Sequence, residues 1–286
     1  MAVSPDGQRI AVASRTRLQL WSVDGTALAS GPLTGFQVAL AFSPDSSRLY
    51  VGHGERGQID VWLLDAATAV QTLRPERTGI RGVSALAATE DGVVAGFYGG
   101  AVASWSADGT RRWSEGSAAD VVLVRADGDR VLVAARDGRT WMKRATGELL
   151  AEVRLEEMVA DALLSDGTAL LGDVRGRLTS WQPDQPTRVR PAHRGPVATL
   201  FREGDAVWSV GEDGLARAWR ADALSTPVGG VAATGSLTNL RVCPHSHQVV
   251  PVVPFPDPET VWAPAGACGG SGQIEGSTRQ TREAAP

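Results

Sequence analysis

The chain has 286 residues and a near-balanced charge, with 28 Lys and Arg against 32 Asp and Glu, a net charge of −4 and 43% apolar residues. That length allows a large core in one or two domains. The lack of a basic excess argues against general nucleic-acid binding, and no apolar run approaches the roughly 20 residues of a membrane helix. No charged-then-apolar leader opens the chain. The two cysteines, Cys243 and Cys268, are too few for a disulfide framework and read as free thiols in a reducing, cytoplasmic setting. Lys143 is the one lysine among the 28 basic residues, which reads as Arg-biased coding in a bacterial genome.

In chain order the first element is a turn, Ser4-Pro5-Asp6-Gly7, with only Met1 to Val3 before it. Pro presets φ and Asp and Gly suit the corner that follows. The same pattern recurs at 37–50, where an apolar strand from Gln37 to Phe42 precedes Ser43-Pro44-Asp45. Further on, "VSALAATEDGVVAGFYGGAVASW", "VADALLSDGTALLGDVRGRLTSW" and "VATLFREGDAVWSVGEDGLARAW" share one plan. It runs apolar strand, polar turn, apolar strand, Gly-containing turn, then an alternating strand ending in Trp. A shorter strand follows, as at 69–74 and 149–154. Only 150–158 carries any hint of a helical period.

Seven of the nine tryptophans, Trp21, Trp62, Trp105, Trp141, Trp181, Trp219 and Trp262, recur at intervals of 36 to 43 residues. A period of about 40 residues signals repeat architecture. One four-stranded sheet cannot bury both its faces; sheets stacked radially can. The expected fold is therefore all-β, a seven-bladed β-propeller of four-stranded antiparallel blades, with the first and last blades incomplete. The tryptophans then fill the gaps between blades. The propeller spans 1–265. Residues 266–286, rich in Gly, Ser and polar side chains, form a disordered tail. With the leading strand of the first repeat shortened and the last repeat three-stranded, the ring lacks a closing strand. This raises the expectation that further chain precedes Met1.

The turn type, the Gly-containing turn before the third strand and the Trp at its end resemble the WD-repeat family over about residues 2–265. The resemblance is strongest at 192–219, where Ala192-His193 stands in the place of the family's Gly-His and Asp213-Gly214 in the turn before the third strand. It implies a hydrogen-bonded chain of His193, Ser209, Asp213 and Trp219, a structural device in which buried polar groups satisfy one another. No Trp is followed by Asp, and one repeat alone carries the His, so the repeats are degenerate. Blade 3, "GAVASWSADGTRRW", also looks like quinoprotein-type repeats, in which a second Trp, here Trp113, docks blades.

Catalytic constellations are poor. Cys243, His245 and His247 alternate, but a zinc site needs four ligands and no second pair is present. No nucleophile elbow or P-loop occurs. The chain is thus expected to be no enzyme and to need no cofactor. It reads as a protein–protein interaction scaffold, the alternatives being a C-terminal sensor domain of a larger bacterial signalling protein and, more remotely, a quinoprotein-like enzyme. The turns between second and third strands hold Arg15, Arg17, Arg56, Arg136, Arg139, Arg175 and Arg177, against Glu55, Asp137, Asp173, Glu212 and Asp213. This excess of arginine marks a candidate interaction rim for an acidic peptide or protein segment.

Overall fold

The structure is a computed structural model. It describes the chain except residues 15, 34–38, 67, 76–80, 205, 221–222, 233–239, 243–248 and 252–286, and gives the backbone alone at 220, 223–232, 240–242 and 249–251. Six four-stranded antiparallel sheets follow one another, each with its strands in sequence order. Blade 1 is β1 (Ala2–Val3), β2 (Arg9–Ala13), β3 (Arg17–Ser22) and β4 (Ala27–Pro32). Blade 2 is β5 (Ala39–Phe42), β6 (Arg48–Gly52), β7 (Ile59–Leu63) and β8 (Thr68–Leu73). Blade 3 is β9 (Val83–Thr89), β10 (Gly92–Phe97), β11 (Ala101–Ser106) and β12 (Arg111–Gly116). Blade 4 is β13 (Val121–Asp127), β14 (Arg130–Ala135), β15 (Arg139–Arg144) and β16 (Leu149–Arg154). Blade 5 is β17 (Val159–Ser165), β18 (Thr168–Asp173), β19 (Arg177–Trp181) and β20 (Arg188–Pro191). Blade 6 is β21 (Val197–Glu203), β22 (Ala206–Gly211), β23 (Leu215–Arg220) and β24 (Ala223–Ala232).

The first strands of consecutive sheets, β1, β5, β9, β13, β17 and β21, pack one beside the next, which gives a propeller-like stack. A separate two-stranded ribbon pairs β25 (Leu240–Val242) with β26 (Val249–Pro251). Apart from this ribbon, the expected seventh blade with Trp262, and the tail, lie outside the described residues, as do Cys243, His245 and His247. Blade 1 has four strands, but its first is cut to two residues, paired Ala2↔Ala11 and Val3↔Ile10. The Ser-Pro-Asp turns close as the sequence demands. The Ser4 hydroxyl donates to Asp6 Oδ1 at 2.5 Å, and the Asp6 N–H donates to Ser46 Oγ of the second copy at 3.1 Å. The hint of helix at 150–158 is overturned: 149–154 is strand, paired along β15 from Lys143↔Leu149 to Arg139↔Arg154. A sheet edge that can extend the ladder outcompetes a short helix with no cap.

The register uncovers a stricter period than the tryptophans do. The inner strands of blades 3 to 6 each bulge at their second residue, at Ser84, Val122, Ala160 and Ala198, which are 38 residues apart. The turn glycines Gly100, Gly138, Gly176 and Gly214 keep the same interval and share φ near +80°, the left-handed region that costs a side-chain-bearing residue most. In this frame Trp105, Trp181 and Trp219 are equivalent, pairing with Val93, Ala169 and Val207. Blade 4 breaks the series. Its residue in that place is Lys143, paired with Val131, while Trp141 sits two residues earlier on the same face. That displacement produces the short interval of 36 followed by 40.

The tryptophans fill the gaps between blades. Trp105 joins Tyr50, Ile59 and Val61 of blade 2. Trp141 joins Val94 and Val102 of blade 3. Trp181 packs with Leu132 and Met142 of blade 4, and Trp219 with Leu170 and Leu178 of blade 5. Trp62 lies on Gly31 of the outer strand of blade 1, where any Cβ would come within 2.5 Å of the ring. Blades also meet through small residues on their second strands. A Cβ on Gly52, Gly96 or Gly172 would come within 2.3 to 2.6 Å of Val83, Val121 or Val197 of the next blade. Close backbone approach at these points lets each sheet bury its apolar face on its neighbour.

Candidate interaction rim

The turns between second and third strands and the loops joining blades share one side of the stack, because main-chain hydrogen bonds lace them together. Leu33 N–H donates to Thr16 O, Val83 to His53 O, Ser117 to Gly100 O, Arg136 to Asp120 O, Leu155 to Gly138 O, Ala192 to Gly176 O and Glu212 to Pro196 O, at 2.6 to 2.9 Å. The left-handed turn glycines make room for this lacing. A Cβ on Gly100, Gly138 or Gly176 would stand 2.3 Å from the loop carbonyl of Ser117, Leu155 or His193. The rim is thus a backbone-stitched ledge that presents side chains at fixed positions.

On blade 6 the structure brings His193, Ser209, Asp213 and Trp219 together. Trp219 Nε1–H donates to Ser209 Oγ at 2.8 Å, Ser209 Oγ lies 2.8 Å from His193 Nε2, and His193 Nδ1 lies 2.9 Å from Asp213 Oδ1. Nδ1 also lies 2.8 Å from Arg217 Nη1, which can only donate, while the Asp213 carboxylate can only accept, so its two neighbours ask opposite things of that nitrogen. With Nδ1 protonated toward Asp213 the Ser209 hydroxyl donates to Nε2; with Nδ1 accepting from Arg217, Nε2–H donates to Ser209 Oγ. Burial pushes His193 below its usual pKa; Asp213 opposes that shift and the Arg217 guanidinium adds to it. Burial works to raise Asp213, but His193, the Arg194 N–H and Arg217 outweigh it and hold the carboxyl down at about 2. Gly211 leaves space for the imidazole, since a Cβ there would come within 2.3 Å of Nδ1. His193, Ser209 and Trp219 are buried and the Asp213 side chain is 7% exposed, which fits a structural brace.

Two further braces were not legible in the sequence. In blade 2, His53 follows the second strand, and its Nε2 lies 2.8 Å from Asp60 Oδ2. Thr72 Oγ1–H donates to Asp60 Oδ1 at 2.7 Å. Burial tends to raise Asp60, yet these hydrogen bonds lower it overall. In blade 5, Asp173 ends the second strand, where blade 6 has Gly211, and its carboxylate accepts the N–H groups of Arg175 and Arg177 at 2.8 and 2.9 Å. Arg177 Nε also reaches Asp173 Oδ2 at 2.7 Å. No repeat of residue type marks these positions, so only register reveals them.

The candidate rim arginines fall into two sectors. On blades 4 and 5 they are paired. Arg136 meets Asp120 at 3.6 Å, Arg139 meets Glu152 at 2.8 Å, Arg175 meets Glu157 at 2.5 Å, and Arg177 meets both Glu156 and Asp173 at 2.7 Å. Arg139 also lies over the Trp141 ring, 4.8 Å from its centroid. The arginine excess read from the turns is therefore corrected on these blades. Asp120, Glu152, Glu156 and Glu157 come from neighbouring strands and loops and balance it. On blades 1 and 2, Arg17 and Arg56 are exposed and make no ion pair among the described residues; Arg15 lies outside them. A polar cleft lined by Ser14, Thr16, Arg17, Gln19, Ser30 and Pro32 opens in this sector.

Among the described residues, no helix is long and apolar enough to cross a membrane, and no group of three or more His, Cys, Asp or Glu is arranged to hold a metal ion. No protein-family model matches the chain, and no curated protein sequence does. Solved structures do. One titled as the structure of U3-55K shares 18% identity at a TM-score of 0.68, over 84% of this chain and 83% of that one. The computationally designed Ika8 protein shares 20% identity at a TM-score of 0.69, over 82% of this chain and 74% of its own. At such identities the likeness is one of fold: an all-β, propeller-like stack of repeated four-stranded blades.

Proposed function

We propose that this chain is a non-catalytic interaction scaffold of degenerate WD-type repeats that binds a protein or peptide at its rim. The observation that carries this reading is the laced ledge itself, with Arg17 lining the polar cleft of blade 1 and Arg56 exposed on the turn of blade 2, neither ion-paired among the described residues. A rigid frame presenting fixed side chains keeps the entropic cost of recognition low. On the rim the acidic-partner idea is kept for this sector, because the rim arginines of blades 4 and 5 already hold carboxylates. Seven blades suit the repeat period better than six. The cluster of Val210, Ala216, Phe201 and Trp208 on blade 6 contains no residue of another described blade, which fits a further sheet beside it.

The test is affinity capture from the organism's own extract with immobilised wild type and with Arg17→Glu/Arg56→Glu, the bound proteins being compared by mass spectrometry. The expected result is a set of proteins retained by the wild type and lost by the variant, with the variant still folded by circular dichroism. Identical sets, or none above an unrelated control chain, would overturn the rim assignment.

A further inference from the structure

Blade 5 ends in an outer strand unlike those of its neighbours. The charged side chains of β12 and β16 are engaged, as are Gln71 and Thr72 of β8. On β12, Trp113 Nε1–H donates to Ala145 O and Glu115 accepts from Trp141 and Lys143 of blade 4. On β8, Thr72 bonds Asp60 and Gln71 reaches Asp108 O of blade 3. On β16, Glu152 and Arg154 pair with Arg139 and Asp137. On β20, Arg-Val-Arg-Pro, all four residues are exposed, and neither the Arg188 nor the Arg190 side chain has a hydrogen bond or ion pair among the described residues. Val189 between them is 49% exposed.

The backbone phase of β20 is fixed. Ala192 N–H donates to Gly176 O at 2.9 Å, and the register runs Arg177↔Pro191, Leu178↔Arg190, Thr179↔Val189 and Ser180↔Arg188. Because bonding alternates along an antiparallel pair, Arg188 and Arg190 turn their main-chain groups inward to β19. Val189 then turns its N–H and C=O outward. Pro191 falls at an outward position, where its missing N–H costs the sheet nothing. Arg188 and Arg190 share the face of Leu178, which packs with Val197 and Trp219 of blade 6.

From this arrangement, and resting on the scaffold reading, we propose that β20 takes an extended acidic segment of a partner protein as a fifth strand. The Val189 main chain would bond the segment, and carboxylates at alternate positions of it would meet Arg188 and Arg190. Strand addition draws affinity from main-chain bonds and specificity from alternate side chains, and opposite charges facing one another across a ladder stabilise the pairing. The two-residue spacing of the arginines matches the period of a strand, which selects an alternating acidic sequence over a clustered one.

The probe is a fluorescein-labelled peptide, Glu-Thr-Glu-Val-Glu-Thr-Glu, followed by anisotropy against the full chain. Saturable binding is expected, weakened about tenfold or more, or about 1.4 kcal/mol, by Arg188→Glu/Arg190→Glu. Val189→Pro, which deletes only an outward N–H, should weaken it similarly. Arg136→Glu should leave it unchanged, and Arg17→Glu/Arg56→Glu should weaken it less than the β20 changes do. No saturable binding by the wild type, or binding that survives both β20 changes, overturns the proposal and leaves the arginines as guards against edge-to-edge pairing. Loss through Arg17→Glu/Arg56→Glu alone would also overturn it, while leaving the scaffold reading intact.

Discussion

Blades 4 and 6 hold the same structural position in opposite ways. In blade 6 the place is filled by Trp219, whose N–H enters a chain of polar groups that belongs to that blade and the loop leading into it. In blade 4 it is filled by Lys143, whose Nζ meets Glu115 of blade 3 at 2.5 Å, donates to Gly147 O at 3.2 Å and lies 4.9 Å from the centroid of the Trp113 ring. Trp113 reaches forward from the outer strand of blade 3, and its N–H donates to Ala145 O at 2.9 Å. One repeat braces itself; the other is clasped by its predecessor. Divergent repeats thus keep a common frame while exchanging an internal lock for an external one. The chain's one lysine is a fold element that closes the clasp between blades 3 and 4.

The sharpest way to break this comparison is at the clasp. Glu115→Ala leaves the Lys143 ammonium buried and the Trp141 N–H without its acceptor. The expected loss is about 3 kcal/mol, the low end for breaking a buried pair because Glu115 is partly accessible to water. The denaturation midpoint reads it. Lys143→Met placed on Glu115→Ala should recover part of the loss, since no charge then remains buried. In blade 6, Ser209→Ala should cost about 1–2 kcal/mol, and a double-mutant cycle with His193→Phe should show clear non-additivity. Additive costs would mean that the blade 6 groups act separately.

Between blades the comparison turns on Gly96 and its counterpart Ala134, which occupies the same register position one period later. Gly96→Ala would set a methyl 2.3 Å from Val121 Cγ1. The expected cost is about 1 kcal/mol or slightly more, largely relieved by Val121→Ala. A fully additive double variant would show that the approach of blades 3 and 4 is set elsewhere.

The repeat was legible because a tryptophan and a turn glycine recur near one interval in most blades, and so was the His193 chain, since its members stand where the resemblance to WD repeats implies them. The register of blade 4 was not, because Trp141 lies two residues from the frame and its interval misleads. The pairing of the rim was hidden for a related reason. Counting charges turn by turn omitted Glu152 on an outer strand and Asp120, Glu156 and Glu157 in the loops joining blades, which reach the turns only after folding. His53 and Asp173 were missed because their braces use different residues at one register position.

The smallest effect concerns protons, and it tests whether the blade 6 imidazole is neutral. His193 is held neutral, with a folded pKa below the ordinary 6.5. The unfolded chain therefore takes up the proton first, and stability falls as pH drops below 6.5, with no change above it. Asp213 acts lower: its contribution is full above 3.8 and is lost as pH falls from there to about 2. Thermal unfolding of wild type and His193→Phe between pH 7.5 and 5 separates the two, because Asp213 stays ionised throughout. The advantage of the wild type should be constant down to about pH 7 and shrink toward pH 5. An advantage that grows on acidification would mean that the imidazolium is the bonded species. Nε2–H would then donate to Ser209, and the brace would be an ion pair between His193 and Asp213 rather than a chain through a neutral imidazole.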